Sequence, residues 1–158
     1  MTHSVLLDTS FFIRLLNEND KLHQNALGYF KYCLDKDFIL KCSTISIAEY
    51  CVRGKFDELP WRNLQVLPFN TDHGIRAGEF ANIVFKEKGT LELTNRNIIP
   101  NDSKLFAQAD TDKSVKYFMT SDQECKKIYK ILDAALSPSF KIIDINMPYN
   151  ERFGILDF

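Results

Sequence analysis

The sequence predicts an α/β domain with a central parallel sheet and helices on both of its faces. Short apolar runs alternate with longer stretches whose apolar residues recur at helical spacing, the pattern of repeated strand–helix–strand units. The first run, residues 5–7, is continuously apolar, as expected for a strand covered on both faces. It ends directly at Asp8, and helical spacing begins within two residues. An acid therefore sits at the carboxyl edge of the predicted sheet, where open α/β sheets bind ligands.

The remaining elements follow the same alternation along the chain. Short apolar runs bounded by polar or turn residues predict further strands at residues 38–42, 64–68, 115–120 and 141–145. Apolar residues at helical spacing predict helices at residues 22–34, 44–52, 71–87, 101–109 and 123–135, besides the short helix after Asp8. Gly89 is the predicted stop of the long helix, and residues 90–100 are polar without a clear period, which predicts a loop. Without repeats or low-complexity segments, we expect a single domain over residues 1–158.

Composition sets modest bounds on function. The chain has 158 residues, 45% of them hydrophobic, and a formal net charge of −1, so it has no strong positive field and any nucleic-acid contact depends on local patches. No apolar run is long enough to span a membrane, and the first residues lack a signal-type pattern, which together predict a cytosolic protein. The cysteines and histidines show no zinc-ligand spacing, so we expect buried reduced thiols and surface histidines, at positions Cys33, Cys42, Cys51, Cys125, His3, His23 and His73.

Four acids fall at strand–helix junctions of the predicted sheet: Asp8, Glu49, Asp102 and Asp122. Each alone is explained as a helix cap or a favourable first-turn charge, and Ser46 with Glu49 fits a capping box. Together they are expected to converge on one edge, where two carboxylates about 4 Å apart repel by about 4 kcal/mol at an effective dielectric of 20. Such a cluster requires a divalent cation or raised pKa values. Mg²⁺ or Mn²⁺ suits a site of oxygen ligands without histidine or thiolate.

The four acidic segments, in order, resemble the motifs of the PIN-domain family over nearly the whole chain. The segments are Val5-Leu6-Leu7-Asp8-Thr9-Ser10, Ile45-Ser46-Ile47-Ala48-Glu49, Asn101-Asp102 leading to Leu105-Phe106-Ala107-Gln108-Ala109, and Phe118-Met119-Thr120-Ser121-Asp122. The resemblance implies strand order 3-2-1-4-5 and an endoribonuclease dependent on Mg²⁺ or Mn²⁺. It is greatest to the VapC-type toxins of toxin–antitoxin pairs, which implies an RNA substrate and a small antitoxin partner. One departure is residues 90–100, which are longer and more polar than the expected glycine-containing turn.

The resemblance also implies roles for individual residues. Asp8, Glu49, Asp102 and Asp122 would be the catalytic metal ligands, and Thr120 or Ser121, with Thr9, would support the site and its substrate by hydrogen bonding. Arg14 is the first candidate for phosphate contact because it lies on the helix beside Asp8; the others are Arg53, Lys55, Arg76, Lys86, Lys88 and Arg96. Glu124 and Asp110 are interpreted as exposed helix charges rather than ligands. Homodimers are common among similar toxins, so Phe11, Phe12, Tyr29 and Phe30 are expected either at an interface or in the core.

Two other functions remain open from the sequence. A Mg²⁺-binding receiver-type signalling domain also gathers acids at a sheet edge, but it needs an aspartate after the third strand and a lysine after the fifth. Here Pro68-Phe69-Asn70 and Asn146-Met147-Pro148 stand at those positions. A catalytically silent PIN fold that acts as a binding module is the second alternative. No Ser-His-Asp or Cys-His arrangement is evident that would support covalent catalysis.

Overall fold

A computed structural model describes residues 2–87 and 98–155, with Ile98 described by its backbone alone. Five parallel strands form one sheet in the order β3-β2-β1-β4-β5, which confirms the predicted fold class and strand order. The strands are β1 Ser4–Leu7, β2 Ile39–Ser43, β3 Leu64–Leu67, β4 Val115–Thr120 and β5 Lys141–Asp144. Receiver domains have order 2-1-3-4-5, so this topology argues against the receiver alternative.

Seven α-helices surround the sheet in the described part of the chain. They are α1 Thr9–Leu15, α2 His23–Asp35, α3 Thr44–Tyr50, α4 Thr71–Glu87, α5 Ile98–Thr111, α6 Gln123–Leu136 and α7 Tyr149–Arg152, with single 3₁₀ turns at Phe56–Glu58 and Trp61–Asn63. Among these described helices, none has the length and apolarity needed to cross a bilayer.

The two faces of β1 build two separate cores. Leu6 points to the face covered by α4, α5 and α6, where Phe80, Phe106 and Phe118 are fully buried. Val5 and Leu7 point to the opposite face, covered by α1 and α2. Because β1 is central and covered on both sides, its end at Asp8 is held rigidly by packing, and the carboxyl edge of the sheet becomes a fixed platform for side chains.

Some sequence-based boundaries were wrong. Helix α5 begins at Ile98, not at residue 101, and takes Pro100 into its first turn, where the missing N–H costs no hydrogen bond. The predicted loop at residues 90–100 is therefore helical from 98 onward; its other residues, and the stop at Gly89, lie outside the described residues. Helix α3 begins at Thr44 as predicted, but its N-cap is Ser43, whose hydroxyl accepts from the Ile45 N–H at 3.0 Å.

Burial settles several open assignments. Phe11, Phe12 and Tyr29 are fully buried, so they fill the core rather than an interface, and half-buried Phe30 packs against the same core. All four cysteines are free thiols, but Cys51 is exposed, against expectation. His73 is also buried rather than on the surface. Its Nδ1 accepts a hydrogen bond from the Asn70 N–H at the turn before α4, which satisfies this ring nitrogen inside the protein.

Candidate active site

Asp8 is buried at the end of β1 and is surrounded by hydrogen-bond donors. Its Oδ1 accepts from the Thr9 N–H at 2.9 Å, so it caps α1. The hydroxyls of Ser10 and Thr120 each donate to Oδ2 at 2.8 Å. Burial raises the pKa of Asp8, these hydrogen bonds oppose the rise, and repulsion from Asp122 adds to it. The carboxyl group is therefore fixed in orientation and held at an electrostatic cost.

The same two hydroxyls tie the turn after β4 to the turn after β1. Ser10 Oγ accepts from the Ser121 N–H at 3.0 Å, and Thr120 Oγ1 accepts from the Asp122 N–H at 3.0 Å. Asp122 caps α6 by accepting from the Glu124 N–H at 2.9 Å. Each hydroxyl thus accepts from one strand end and donates to Asp8, which fixes Asp8 and Asp122 relative to each other.

Glu49 is neither a cap nor near the start of its helix. It is the sixth of the seven residues of α3, and because Ser43 is the N-cap, the predicted capping box with Ser46 does not form. Glu49 Oε1 and the nearby helical Ser46 Oγ are buried without a hydrogen-bond partner among the described residues. Burial, and then repulsion from Asp8, raises the pKa of Glu49, and the nearby Thr9 hydroxyl partly opposes the rise. A buried acceptor left unpaired costs about 1–3 kcal/mol, so capping gives no account of this side chain.

Asp102 has a strongly raised pKa. It is the fifth residue of α5 rather than its first, so it is not a cap, and its Oδ2 is buried without a hydrogen-bond partner among the described residues. Its pKa is raised from 3.8 to about 8, mainly by burial and in addition by repulsion from nearby acids, namely Asp8, Asp122, Glu49 and Glu124. This repulsion indicates that the four acids, which come from distant segments of the chain, lie near one another at the carboxyl edge of the sheet.

The acids divide into two pairs with different local roles. Asp8 and Asp122 cap helices, as the structural interpretation of the sequence expected, whereas Glu49 and Asp102 are buried with unpaired oxygens. Across residues 2–87 and 98–155, no three acidic, histidine or cysteine side chains are placed so that together they could hold a metal ion. The four acids interact through their charge, but in this structure they do not form a ready-made set of metal ligands.

Two residues that the sequence analysis passed over belong to this region. Ser10 binds Asp8 and Ser121, and its signal was a hydroxyl placed two residues after the first acid. Cys125 is fully buried beneath the cleft; burial raises the pKa of its thiol well above 9.0, and the charges of Asp102, Asp8 and Asp122 add to the rise. A thiol that stays protonated is a poor metal ligand and a poor nucleophile. Glu124 is only half exposed and pairs with Lys127 at 3.0 Å.

Several residues that were predicted to contact the substrate instead pair with other residues of this chain. Arg14 pairs with Asp20 at 2.7 Å, and Arg76 pairs with Asp110 at 3.0 Å and with Glu79 at 2.7 Å. Asp110 is buried, so it is not the exposed helix charge that was expected. Thr120 is also fully buried and Ser121 nearly so, which leaves the Thr120 hydroxyl facing Asp8 rather than solvent.

Three of the remaining candidates for phosphate contact lie in the described part of the chain, and two do not. Arg53, Lys55 and Lys86 are exposed and form no ion pair with a described residue. Lys88 and Arg96 lie outside the described residues. Of the candidates with a visible position, Arg53 and Lys55 follow directly after the helix that carries Glu49.

Comparison with known proteins supports the fold. No protein-family model matches the sequence, and no curated protein matches it either. Among solved structures, VapBC2 of Rickettsia felis bound to a promoter DNA fragment is similar, with 19% identity and a TM-score of 0.58 over 89% of this chain and 98% of that one. DNA-bound VapBC of Salmonella typhimurium has 18% identity and a TM-score of 0.56 over 92% and 99% of the two chains.

A third structure is a toxin of Mycobacterium tuberculosis, VapC20, described as cleaving the sarcin–ricin loop. It has 17% identity and a TM-score of 0.52 over 78% of this chain and 93% of that one. The likeness extends over most of each chain at low identity, so the fold is the PIN-like fold of these VapBC and VapC structures.

Proposed function

We propose that this chain is a divalent-metal-dependent endoribonuclease and the toxin of a toxin–antitoxin pair. The observation that carries the proposal is the pair of buried, unpaired carboxylate oxygens, Glu49 Oε1 and Asp102 Oδ2, in a cleft shared with Asp8 and Asp122. Folding alone does not favour such an arrangement, since each unpaired buried acceptor and each repelling charge is destabilising. Costs of this kind are typical of functional sites.

The residues of the cleft fit a hard divalent cation. They offer carboxylate and hydroxyl oxygens, and the neighbouring Cys125 thiol stays protonated. Asp8, Glu49, Asp102 and Asp122 would hold Mg²⁺ or Mn²⁺, and the cation would relieve their mutual repulsion. When bound, it supplies Lewis-acid activation of water and stabilises charge on a phosphodiester.

Side chains of this protein would hold the metal ligands in position and accept the proton of the attacking water. Ser10 and Thr120 fix the Asp8 carboxylate by donating to its Oδ2, so the acid cannot rotate away from the cleft. Asp102 Oδ2 has no hydrogen-bond partner among the described residues, and Glu49 has only the nearby Thr9 hydroxyl as a potential donor, so either carboxylate can accept the proton of an attacking water. Without a cation, the same negative charges would repel a phosphodiester, which makes catalysis depend on metal.

The toxin assignment and the partners rest on likeness to other structures. Two neighbours are VapBC structures, which supports a small antitoxin partner, and VapC20 cleaves the sarcin–ricin loop, which supports an RNA substrate. We propose loop or single-stranded RNA as the substrate class, since unstacked bases are what proteins read in RNA. A homodimer stays a proposal, and its interface would have to use residues other than the buried Phe11, Phe12 and Tyr29.

The test is cleavage of structured RNA with added Mg²⁺ or Mn²⁺, with EDTA, and with metal restored after EDTA. We expect cleavage in either metal, none in EDTA and recovery on restoration. Glu49→Gln should abolish cleavage while keeping the fold, because glutamine is nearly isosteric and Glu49 makes no hydrogen bond through its buried Oε1. A folded protein that never cleaves RNA in either metal would instead support the silent binding module.

A further inference from the structure

Two aromatic rings are stacked on the surface directly after α3. Phe56 is 56% exposed, and its ring lies against that of Trp61, with centroids 4.3 Å apart and planes at 28°. Trp61 is half-buried and packs against the core, so the open face of the pair belongs to Phe56. Phe56 is the most exposed of the described phenylalanines, ahead of Phe85 at 40%. Exposed apolar surface held in an ordered stack is a candidate binding site.

The pair is held in place by its own loop. The Trp61 Nε1–H donates to the Phe56 carbonyl at 2.6 Å, and the Lys55 N–H donates to Glu58 Oε1 at 2.6 Å. Leu59, between the two rings in sequence, is buried and anchors the loop in the core next to β1. A ligand that stacks on these rings would not have to order them first, which lowers the entropic cost of binding.

The charges beside the rings favour a phosphate-bearing ligand. Arg53, Lys55 and Arg62 are exposed and form no ion pair with any described residue, unlike Arg14 and Arg76. The same loop also carries two exposed acids, Asp57 and Glu58, so its three cations leave a local excess of one positive charge. Aromatic faces combined with cations bind single-stranded nucleic acid, since bases stack on the rings and phosphates meet the cations.

The loop packs against the end of α3, the helix that carries Glu49. The Gly54 N–H donates to the Tyr50 carbonyl at 2.8 Å, and the Tyr50 ring lies so close that a Cβ at Gly54 would overlap it. Phe56 follows Glu49 by seven residues, which limits their separation to about 25 Å even for an extended chain. A strand that enters the acidic cleft can therefore reach the rings within a few nucleotides.

We propose that Phe56 and Trp61, with Arg53, Lys55 and Arg62, form a docking platform for single-stranded RNA on the loop between α3 and β3. This inference rests on the proposed ribonuclease function and adds the surface that holds the substrate. The platform stacks bases and neutralises backbone phosphates, and it takes no part in the chemical step. An acidic protein segment is the competing occupant, because it also satisfies the cations but offers no bases to stack.

Trp61 makes the platform directly observable. It is the sole tryptophan of the sequence, so the intrinsic tryptophan fluorescence reports on this loop alone. The wild-type protein is titrated in EDTA with a short single-stranded oligoribonucleotide, and separately with inorganic polyphosphate and with polyglutamate. We expect RNA to quench Trp61 strongly, because bases stack on the ring pair. Polyphosphate should compete with RNA for the cations without quenching to the same extent, and polyglutamate should bind more weakly than RNA.

Variants separate stacking from charge. Phe56→Leu keeps an apolar side chain but removes the ring, and we expect RNA binding about tenfold weaker. Arg53→Gln with Lys55→Gln should weaken binding and reduce the slope of log affinity against log salt by about 1.4, from about 0.7 per lost contact. The matched control is Lys113→Gln with Lys130→Gln, the same change of charge on two exposed lysines, one between α5 and β4 and one on α6, neither of them a candidate for phosphate contact. It should leave RNA affinity within about twofold of wild type.

The outcomes distinguish this proposal from the proposed function. The platform proposal is wrong if RNA binds without changing Trp61 emission or if no RNA binds in EDTA. It is also wrong if the platform variants bind RNA as well as the control variant does. The platform is equally wrong if polyglutamate binds as tightly as RNA, which would indicate a protein partner. Cleavage in Mg²⁺ with normal binding by the platform variants would contradict the platform alone. Platform-dependent RNA binding by a protein that never cleaves RNA would contradict the ribonuclease function alone.

Discussion

Replacing Asp102 by asparagine should stabilise the metal-free protein at neutral pH. The pKa of Asp102 is raised from 3.8 to about 8, so the unfolded chain loses this proton near pH 4 while the folded protein keeps it. The contribution of Asp102 to stability is therefore greatest below about pH 4 and falls by about 1.4 kcal/mol per pH unit until about pH 8. At pH 7 the loss approaches about 4 kcal/mol, and Asp102→Asn removes it. The melting temperature in EDTA should rise by about 10 °C.

The assay is thermal and urea unfolding in EDTA at about pH 4 and about pH 7, compared with wild type. The matched control is Asp110→Asn, the same substitution at the other end of α5. Burial would raise the pKa of Asp110, but hydrogen bonds from Ser139 and the pairing with Arg76 outweigh it and lower the pKa. This control should lose about 2 kcal/mol at pH 7, because it breaks charged hydrogen bonds. If Asp102→Asn is also less stable than wild type at pH 7, the account of a strained, repelling cleft is wrong.

The remaining predictions concern the hydroxyl pair and the capping acids. Ser10→Ala should lower the free energy of unfolding by about 1–2 kcal/mol in urea titrations, because Asp8 Oδ2 loses a donor and the Ser121 N–H loses its acceptor; stability equal to wild type would show that this network is dispensable. Asp122→Asn should keep its helix cap and melt in EDTA at or above the wild-type temperature. Excess Mg²⁺ should stabilise wild type by about 2.7 kcal/mol at a hundredfold excess over its Kd and the variant by much less; an equal gain for both would exclude Asp122 as a ligand.

The fold was predictable because its signals are local and repeated. The continuous apolar run before Asp8 predicts a strand covered on both faces, and the observed burial of Val5, Leu6 and Leu7 agrees with it. The strand order came from the resemblance of the four acidic motifs, since alternation alone does not fix the order of strands in a sheet.

The site was less predictable because it depends on tertiary contacts. The sequence placed Asp102 at a helix start, but α5 begins four residues earlier with Pro100 in its first turn. The spacing of Ser46 and Glu49 predicted a capping box, but the N-cap of α3 is Ser43. Glu49 therefore does not cap the helix, and its Oε1 is buried without a hydrogen-bond partner in the described part of the chain. Asp110 looked like a solvent-exposed charge, and only the fold shows its burial against Arg76. Side-chain burial and long-range pairing are set by packing between distant segments, which periodicity does not report.

The central claim is that the carboxylate cleft holds the cation on which RNA cleavage depends. The most direct measurement counts bound Mn²⁺ by electron paramagnetic resonance and measures RNA cleavage on the same samples of wild type and Asp102→Asn. We predict that wild type binds Mn²⁺ and cleaves RNA, that EDTA removes both, and that the folded variant loses both together. Cleavage undiminished in EDTA, or a variant that binds Mn²⁺ and cleaves RNA like wild type, would contradict the claim.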